Sequence, residues 1–301
     1  MPHRRRSPTA ALHRDRGGMG KLPNFLIIGA MKSATTSLTY YLDAHPDVYC
    51  LQEEVHFFSR YYDQGLDWYR WQFAPATTHR AVGESSPPYM YLPHIPALMA
   101  RDVPDARLIA VLRHPIDRAY SHYWHNRTRG KEPLGFGEAL KAEPERLATG
   151  DLRARLQFAY LDRSRYLPQL ERVVLHYPRE ALHVLLLEDL RDERVEAVQA
   201  VFRFLGVDDT VVPPNLDSAK NRFITYRFPG LRRPIRRLPG IFQKVAARLN
   251  IRYTTYPPID PGLRRELVER FREENEALGR FLGRDLSAWN QPLASRGSTR
   301  G

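Results

Sequence analysis

Three short apolar runs, each followed by a segment with helical spacing, constrain the fold of this chain more than any other feature. They lie within residues 24–31 (NFLIIGAM), 107–113 (RLIAVLR) and 181–190 (ALHVLLLEDL). A strand that is apolar at every position is buried on both faces, as in a parallel sheet covered by helices. The alternation therefore predicts an α/β fold, a three-layer sandwich with a central parallel sheet flanked by helices.

The segments between these runs complete the alternation. RAVGE at 80–84 is a further strand candidate. Apolar spacing of the helical kind occurs in residues 37–46, 94–103, 117–130, 165–178, 195–207 and 261–283. The last of these predicts a long amphipathic helix, whose core candidates are Leu263, Leu267, Phe271, Leu278 and Phe281.

Composition favours one large domain. The chain has 301 residues, of which 43% are hydrophobic, and this is enough for one sizeable core. We expect a folded domain over 22–290 between disordered tails at 1–21 and 291–301, with Met19 as an alternative start. Cys50 is the single cysteine, which excludes an intramolecular disulfide and fits the cytoplasm. No run approaches the roughly 20 apolar residues of a membrane span.

The charge balance indicates an anionic partner. The formal net charge is +12, which fits nucleic acid, a phosphorylated nucleotide, a membrane surface or an acidic glycan. Residues 227–252 carry eight basic residues and no acidic one, so this insertion-like stretch is either a docking surface for an anionic membrane or glycan or simply solvated.

The loop after the first strand has the composition of an anion site. Lys32 is followed by small and hydroxyl-bearing residues at a helix N-terminus, where backbone N–H groups and the helix dipole favour phosphate or sulfate: Ser33, Ala34, Thr35, Thr36 and Ser37. The loop is not a Walker A motif, because no glycine directly precedes Lys32. A Ser/Thr-rich helix cap without a ligand is the alternative.

Two further segments carry candidate chemistry. In RLIAVLRHPIDRAYSHYWH, Arg113 ends a strand and Ser121 lies about two turns into the next helix, so both can reach a phosphate. The alternative to a phosphate site is that Arg113 and Arg118 are solvent-exposed charges and Ser121 is an ordinary helix residue. In LQEEVHFFSR, the titratable Glu53, Glu54 and His56 stand beside aromatic residues, a setting suited to proton abstraction.

These three segments together resemble the family of sulfotransferases that use 3′-phosphoadenosine 5′-phosphosulfate (PAPS), and most closely its heparan sulfate sulfotransferase-like branch with bacterial relatives. The resemblance covers about residues 24–289 and implies a P-loop-like fold and in-line sulfuryl transfer from PAPS to a hydroxyl or amine. IIGAMKSATTSL matches the 5′-phosphosulfate loop, LRHPIDRAYSHY the 3′-phosphate segment and EEVHFF the catalytic stretch.

The resemblance assigns roles to individual residues. Lys32 would stabilise the departing phosphate, with residues 33–37 as its cradle, and Arg113 and Ser121 would hold the 3′-phosphate. Glu54 would be the general base with His56 in support. RYTTYPPIDPGLRREL resembles the loop and helix that close over the nucleotide, which puts Arg252 at a basic position and makes 227–256 an insertion plus closing loop.

The chain also departs from the family pattern. Ser85 stands where glycan-modifying members often carry a catalytic lysine, and Tyr253 replaces a glycine of the closing loop. The disulfide of secreted members cannot form. These departures leave PAPS as the expected co-substrate and make an extracellular-type heparan acceptor doubtful.

Several alternatives remain open. A P-loop-type kinase would use the same strand, loop and helix, and charge alone would suit a nucleic-acid-binding protein, although no recognition motif for nucleic acid is present. A non-catalytic nucleotide-binding module is a third. We expect that the enzyme needs no metal. The expected acceptor is a carbohydrate, a glycolipid or a small metabolite. The sequence leaves the oligomeric state open. We expect the enzyme in the cytoplasm, with peripheral contact to the membrane as an extension.

Overall fold

The computed structural model describes residues 20–217, 224–226, 251–253 and 256–291, and for 224–226 and 251–253 it describes the backbone. Seven strands occur in these ranges: β1 (Phe25–Gly29), β2 (Val48–Cys50), β3 (Ala81–Ser85), β4 (Arg107–Leu112), β5 (Leu182–Leu186), β6 (Ile224–Tyr226) and β7 (Ile251–Tyr253). The first five form one parallel sheet in the order β2-β3-β1-β4-β5, and β6 pairs with β7 antiparallel.

Helices separate the strands of the main sheet. They are α1 (Thr35–Leu42), α2 (Gly65–Gln72), α3 (Pro88–Tyr91), α4 (Ile95–Asp102), α5 (Pro115–Arg127), α6 (Phe136–Lys141), α7 (Glu143–Ala148), α8 (Leu152–Phe158), α9 (Tyr166–Val174), α10 (Leu187–Asp192), α11 (Arg194–Leu205) and α12 (Pro261–Leu282). A π-helical turn over Phe57–Tyr61 precedes α2.

The main sheet has an apolar core on each face. Side chains alternate across a strand, so Leu26 and Ile28 of β1 point to one face while Phe25 and Ile27 point to the other, and all four are completely buried. The first face packs against α4 and α9, and the second against α1 and α11. This two-sided burial explains the apolar runs in the sequence, and it confirms the predicted α/β sandwich.

The helix α12 has the amphipathic pattern that the sequence predicts for the C-terminal helix. It contacts α5 and α9, with Leu267, Phe271 and Leu278 buried and Leu263 and Phe281 packed at the edges of the core. Its first turn is capped by the Asp260 carboxylate, which accepts a hydrogen bond from the Leu263 N–H at 2.8 Å.

Two predictions concern residues that the structure describes only in part. The tails at 1–19 and 292–301 and most of the basic stretch 227–252 lie outside the described residues. The domain boundaries therefore stay predictions. In the part of the chain that is described, no helix is both long and apolar enough to cross a bilayer.

One glycine is required by the approach of two strands. Gly83 of β3 lies opposite Phe25 of β1, and a Cβ there would stand 2.5 Å from the Phe25 carbonyl oxygen. We expect Gly83→Ala to lower the free energy of unfolding by about 1–3 kcal/mol, as overpacking does elsewhere.

Urea denaturation measures this loss. Gly137→Ala in α6 is the matched control, because its Cβ would make ordinary contact at 3.8 Å, so we expect no loss there. Equal stability of Gly83→Ala and the unmodified protein would contradict the steric explanation.

Candidate active site

The carboxyl ends of β1 and β4 bring two of the predicted segments together. The Ala30 N–H donates to the Val111 carbonyl at 2.8 Å, which joins the two strand ends. Arg113, just beyond β4, donates from Nη1 to the Lys32 carbonyl at 3.2 Å. Adjacent parallel strands end at one edge of a sheet, where α/β proteins bind their ligands. The Lys32 loop and Arg113 thus share one site.

The loop between β1 and α1 has an unusual backbone. Lys32 and Ala34 have φ values of 72° and 66°, in the left-handed region that costs a residue with a side chain about 1–2 kcal/mol. Helix α1 begins directly after Ala34, and no side chain caps it. Left-handed turns beside a helix N-terminus direct successive N–H groups into one concavity, which is a favourable arrangement for an oxyanion.

The hydroxyl-bearing residues of the loop after β1 differ in their exposure to solvent. Ser33, Thr35 and Ser37 are buried, whereas Thr36 is exposed. The role of each hydroxyl and of the backbone N–H groups in holding an anion therefore stays a prediction.

Lys32 is a perturbed lysine. Burial is the main cause, and the positive charges of Arg129 and Arg113 add to it, so that its pKa falls to about 8 while the Glu54 carboxylate acts in the opposite direction. A cation held among other cations gains free energy when an anion arrives. The amine remains mostly protonated at pH 7, and an oxyanion would favour its charged form further.

Other basic side chains near this site were missed by sequence reasoning. Arg118 is 0% exposed, so it is not the surface charge considered above, and it donates from Nε to Ser164 Oγ at 2.7 Å. Arg163 is also buried, donates to the sulfur of Met31 at 3.1 Å, and its pKa is lowered to about 10 by burial. Polar residues in helices usually face solvent, so helical spacing could not reveal these.

Ser121 and the segment before α12 also meet. The Ser121 hydroxyl lies 3.0 Å from the Tyr256 hydroxyl, and Tyr120 donates to the Pro257 carbonyl at 2.9 Å. This brings the start of the predicted closing segment onto α5. Arg252 belongs to β7 by its backbone, and its side chain lies outside the described residues.

Glu54 and His56 form a pair at the edge of the site. His56 Nε2 lies 2.9 Å from Glu54 Oε2, and the Glu54 side chain is 46% exposed while that of His56 is 14% exposed. The Glu54 carboxylate is close enough to the loop after β1 to raise the pKa of Lys32 against the effect of burial. A carboxylate open to solvent on one side and oriented by an imidazole on the other is suited to accept a proton from an incoming molecule.

Behind this pair lies a buried carboxylate that the sequence analysis did not select. Glu84 is 0% exposed and accepts hydrogen bonds from Ser86 Oγ at 2.7 Å and from the Tyr69 hydroxyl at 3.1 Å. Burial raises its pKa, and these hydrogen bonds partly offset the effect. Its signal in the sequence is an acidic residue inside an otherwise apolar strand, a position that needs partners.

Together these residues can bind an oxyanion, stabilise negative charge that develops on a leaving oxygen, and remove a proton nearby. The described residues contain no group of three or more His, Cys, Asp or Glu side chains able to hold a metal ion. The basic side chains and the Glu54–His56 pair suit a group transfer between an anionic donor and a protic acceptor.

Comparisons with known proteins agree with this arrangement. The sulfotransferase domain family matches residues 22–222. Bifunctional heparan sulfate N-deacetylase/N-sulfotransferase 3 of Homo sapiens is 30% identical over 289 residues, which are 89% of this chain and 31% of that protein. The membrane-associated sulfotransferase kil1 of Dictyostelium discoideum is 38% identical over 106 residues, 34% of this chain and 22% of that protein. The chain spans about a third or less of these curated relatives.

A solved structure extends the likeness to nearly the whole fold. The sulfotransferase from Alicyclobacillus acidocaldarius superposes with a TM-score of 0.70 at 29% identity, over 90% of this chain and 100% of that one. This confirms the P-loop-like fold.

The lowered pKa of Lys32 can be measured directly. After reductive methylation with ¹³C-formaldehyde, we expect one dimethyl-lysine signal to titrate near pH 8, because burial and neighbouring guanidinium groups disfavour its charge. Sulfate should raise that midpoint. The Lys32→Arg variant assigns the signal. The lysines other than Lys131, whose pKa is also lowered by burial and neighbouring arginines, serve as internal reference. Titration of all lysine signals together would contradict the expectation.

Proposed function

The chain belongs to the sulfotransferase family, and we propose that it transfers the sulfuryl group of PAPS to a hydroxyl or amine by in-line displacement. The observation that carries this proposal is the shared site of Lys32 and Arg113, joined by a hydrogen bond of 3.2 Å at the N-terminus of α1. A nucleotide with phosphates at both ends needs two anion-binding positions, and the Lys32 loop and Arg113 are the two proposed here.

The donor would lie along the carboxyl ends of β1 and β4. Its 5′-phosphosulfate would occupy the left-handed loop, where it would meet the N–H groups of residues 34–36 at the N-terminus of α1 and the Lys32 amine, because the Ser33 and Ser37 N–H groups already donate to the Ala30 and Ala34 carbonyls. As the sulfur–oxygen bond to the phosphate breaks, negative charge grows on the bridging oxygen, and Lys32 would stabilise it.

The 3′-phosphate would bind at the start of α5. Arg113 can hold it bidentately, and Ser121 would donate from its hydroxyl. The Ser121 hydroxyl lies 3.0 Å from the Tyr256 hydroxyl. When the nucleotide binds, Ser121 would exchange this contact for one with the 3′-phosphate. Arg252 on β7 is the further basic residue proposed for this end.

Glu54 would act as the general base. It would take the proton of the acceptor hydroxyl or amine as the acceptor forms its bond to sulfur, while the other sulfur–oxygen bond breaks toward the phosphate. His56, 2.9 Å away, would orient the carboxylate. The exposed side of Glu54 is the direction from which the acceptor arrives.

The acceptor is proposed more broadly, as a carbohydrate, a glycolipid or a small metabolite. A glycan acceptor is supported by similarity to a protein named as a heparan sulfate N-sulfotransferase, although the match covers 31% of that protein. Cytoplasmic location fits the single cysteine, Cys50, which is buried and free. Contact with an anionic membrane would rest on the basic stretch 227–252.

Binding of adenosine 3′,5′-bisphosphate, measured by isothermal titration, tests the donor site. We expect tight binding to the unmodified protein, no comparable binding of ATP, and a loss of at least about tenfold in Lys32→Ala and in Arg113→Ala, because a hydrogen bond to a charged group contributes about 1.5–3 kcal/mol. Lys141→Ala is the matched control, since Lys141 lies on the exposed face of α6. Failure of the unmodified protein to bind adenosine 3′,5′-bisphosphate would contradict the proposed function.

Transfer of ³⁵S from labelled PAPS to a panel of hydroxyl and amine acceptors, including de-N-sulfated heparan sulfate, tests the base. We expect Glu54→Gln to lower kcat by about 10² or more, because the amide cannot take the proton. The exposed neighbour Glu53→Gln should leave kcat unchanged. Near-normal turnover in Glu54→Gln together with collapse in His56→Ala would assign the base to His56 instead.

A further inference from the structure

The turn that presents Glu54 depends on a residue in a costly backbone conformation. His56 has a φ of 56°, in the left-handed region that costs a residue with a side chain about 1–2 kcal/mol. Such a conformation persists only where neighbouring contacts hold it. Here the His56 N–H donates to Ser86 Oγ at 2.9 Å. The orientation of the Glu54–His56 pair therefore rests on Ser86.

Glu84 fixes the role that Ser86 plays in this contact. A serine hydroxyl has a single hydrogen, and Ser86 gives it to Glu84 Oε2 at 2.7 Å. Its oxygen is left with lone pairs, so Ser86 can only accept from His56. The second oxygen of Glu84 accepts from the Tyr69 hydroxyl at 3.1 Å, and this holds the carboxylate itself in place.

The segment after Glu84 holds the following turn in a second place. The Phe58 N–H donates to the Tyr89 hydroxyl at 3.3 Å, so two N–H groups of the turn bind side chains of the segment 86–89. Glu84 is 0% exposed and has no access to an incoming molecule. It therefore cannot be the proton acceptor, although only two hydrogen bonds, through Ser86, connect it to the turn that carries that group.

We propose that Glu84 is a positioning residue for sulfuryl transfer, which orients Ser86 to hold the left-handed turn at His56 and so directs Glu54 at the acceptor. The inference rests on the proposed function, in which Glu54 is the base. Glutamine at position 84 keeps the shape but places an amide NH₂ against either Ser86 or Tyr69. With the NH₂ facing Ser86, the Ser86 hydroxyl loses the acceptor that fixes its side chain, and its contact with the His56 N–H weakens. With the NH₂ facing Tyr69, the Tyr69 hydroxyl loses its acceptor, and the side chain at position 84 that orients Ser86 is held less firmly.

A double-mutant cycle in labelled-PAPS transfer distinguishes positioning from a general structural effect. We expect Glu84→Gln to lower kcat by at least about tenfold, and to change it less than about twofold when Glu54 is already Gln, because residues that act through one another are not additive. The KM for PAPS and the affinity for adenosine 3′,5′-bisphosphate should stay within about threefold, since Lys32 and Arg113 are untouched.

Glu143→Gln is the matched control. Glu143 is also buried, burial raises its pKa in the same way, and it accepts two hydrogen bonds, from the N–H groups of Leu161 and Asp162. Its replacement should leave kcat unchanged even where it lowers the melting temperature. Ser86→Ala is measured in the same cycle and replaces Glu84→Gln if that variant does not fold.

The outcomes separate this inference from the proposed function. Equal loss of kcat from Glu84→Gln in both backgrounds, or no loss in either, overturns the positioning role while donor binding and transfer by the unmodified protein stand. A protein that neither binds adenosine 3′,5′-bisphosphate nor transfers sulfate overturns the proposed function, and the role of Glu84 falls with it.

Discussion

The parallel pairing of β1 with β4 is the constraint on which the rest of the site depends. It places the loop after β1 and the residue after β4 at one edge, where the Ala30 N–H bonds to the Val111 carbonyl. Both strands are locked from above and below by apolar side chains, so this edge has little freedom to shift. A rigid edge is what brings the Lys32 loop and Arg113 into contact without their being neighbours in the sequence.

Much of this fold is predictable because its strands are apolar on both sides. A run such as 24–31 has few explanations other than a buried parallel strand, and the helices between the runs follow from spacing. The strand β2 escapes this reasoning because it has only three residues, Val48–Cys50, too few to show a period. The strand exists because β3 offers it a partner, which is a property of the assembled sheet.

The residues of the candidate site also fall into those that the sequence predicts and those that it does not. Lys32, Arg113, Glu54 and His56 are selected by residue type beside strand ends, and the structure brings them to one edge. Arg118 and Arg163 could not be recognised as buried from the sequence, because elements distant in the chain cover them, whereas Glu84 leaves one signal, its place inside an apolar strand. Burial of charge is a tertiary property, and a single sequence shows the charge without the burial.

The buried cations near Lys32 make the stability of the folded state depend on whether an anion is bound. Arg118 donates to a serine hydroxyl and Arg163 to a thioether, and burial lowers the pKa of both although the carboxylates of Glu143 and Asp162 act on them in the opposite direction. Such an apo state carries internal repulsion that any bound anion relieves. At a ligand concentration of 100 times Kd, binding adds about 2.7 kcal/mol to the free energy of unfolding. With the proposed nucleotide as that ligand, the folded fraction of the protein would rise and fall with nucleotide supply, before any acceptor is involved.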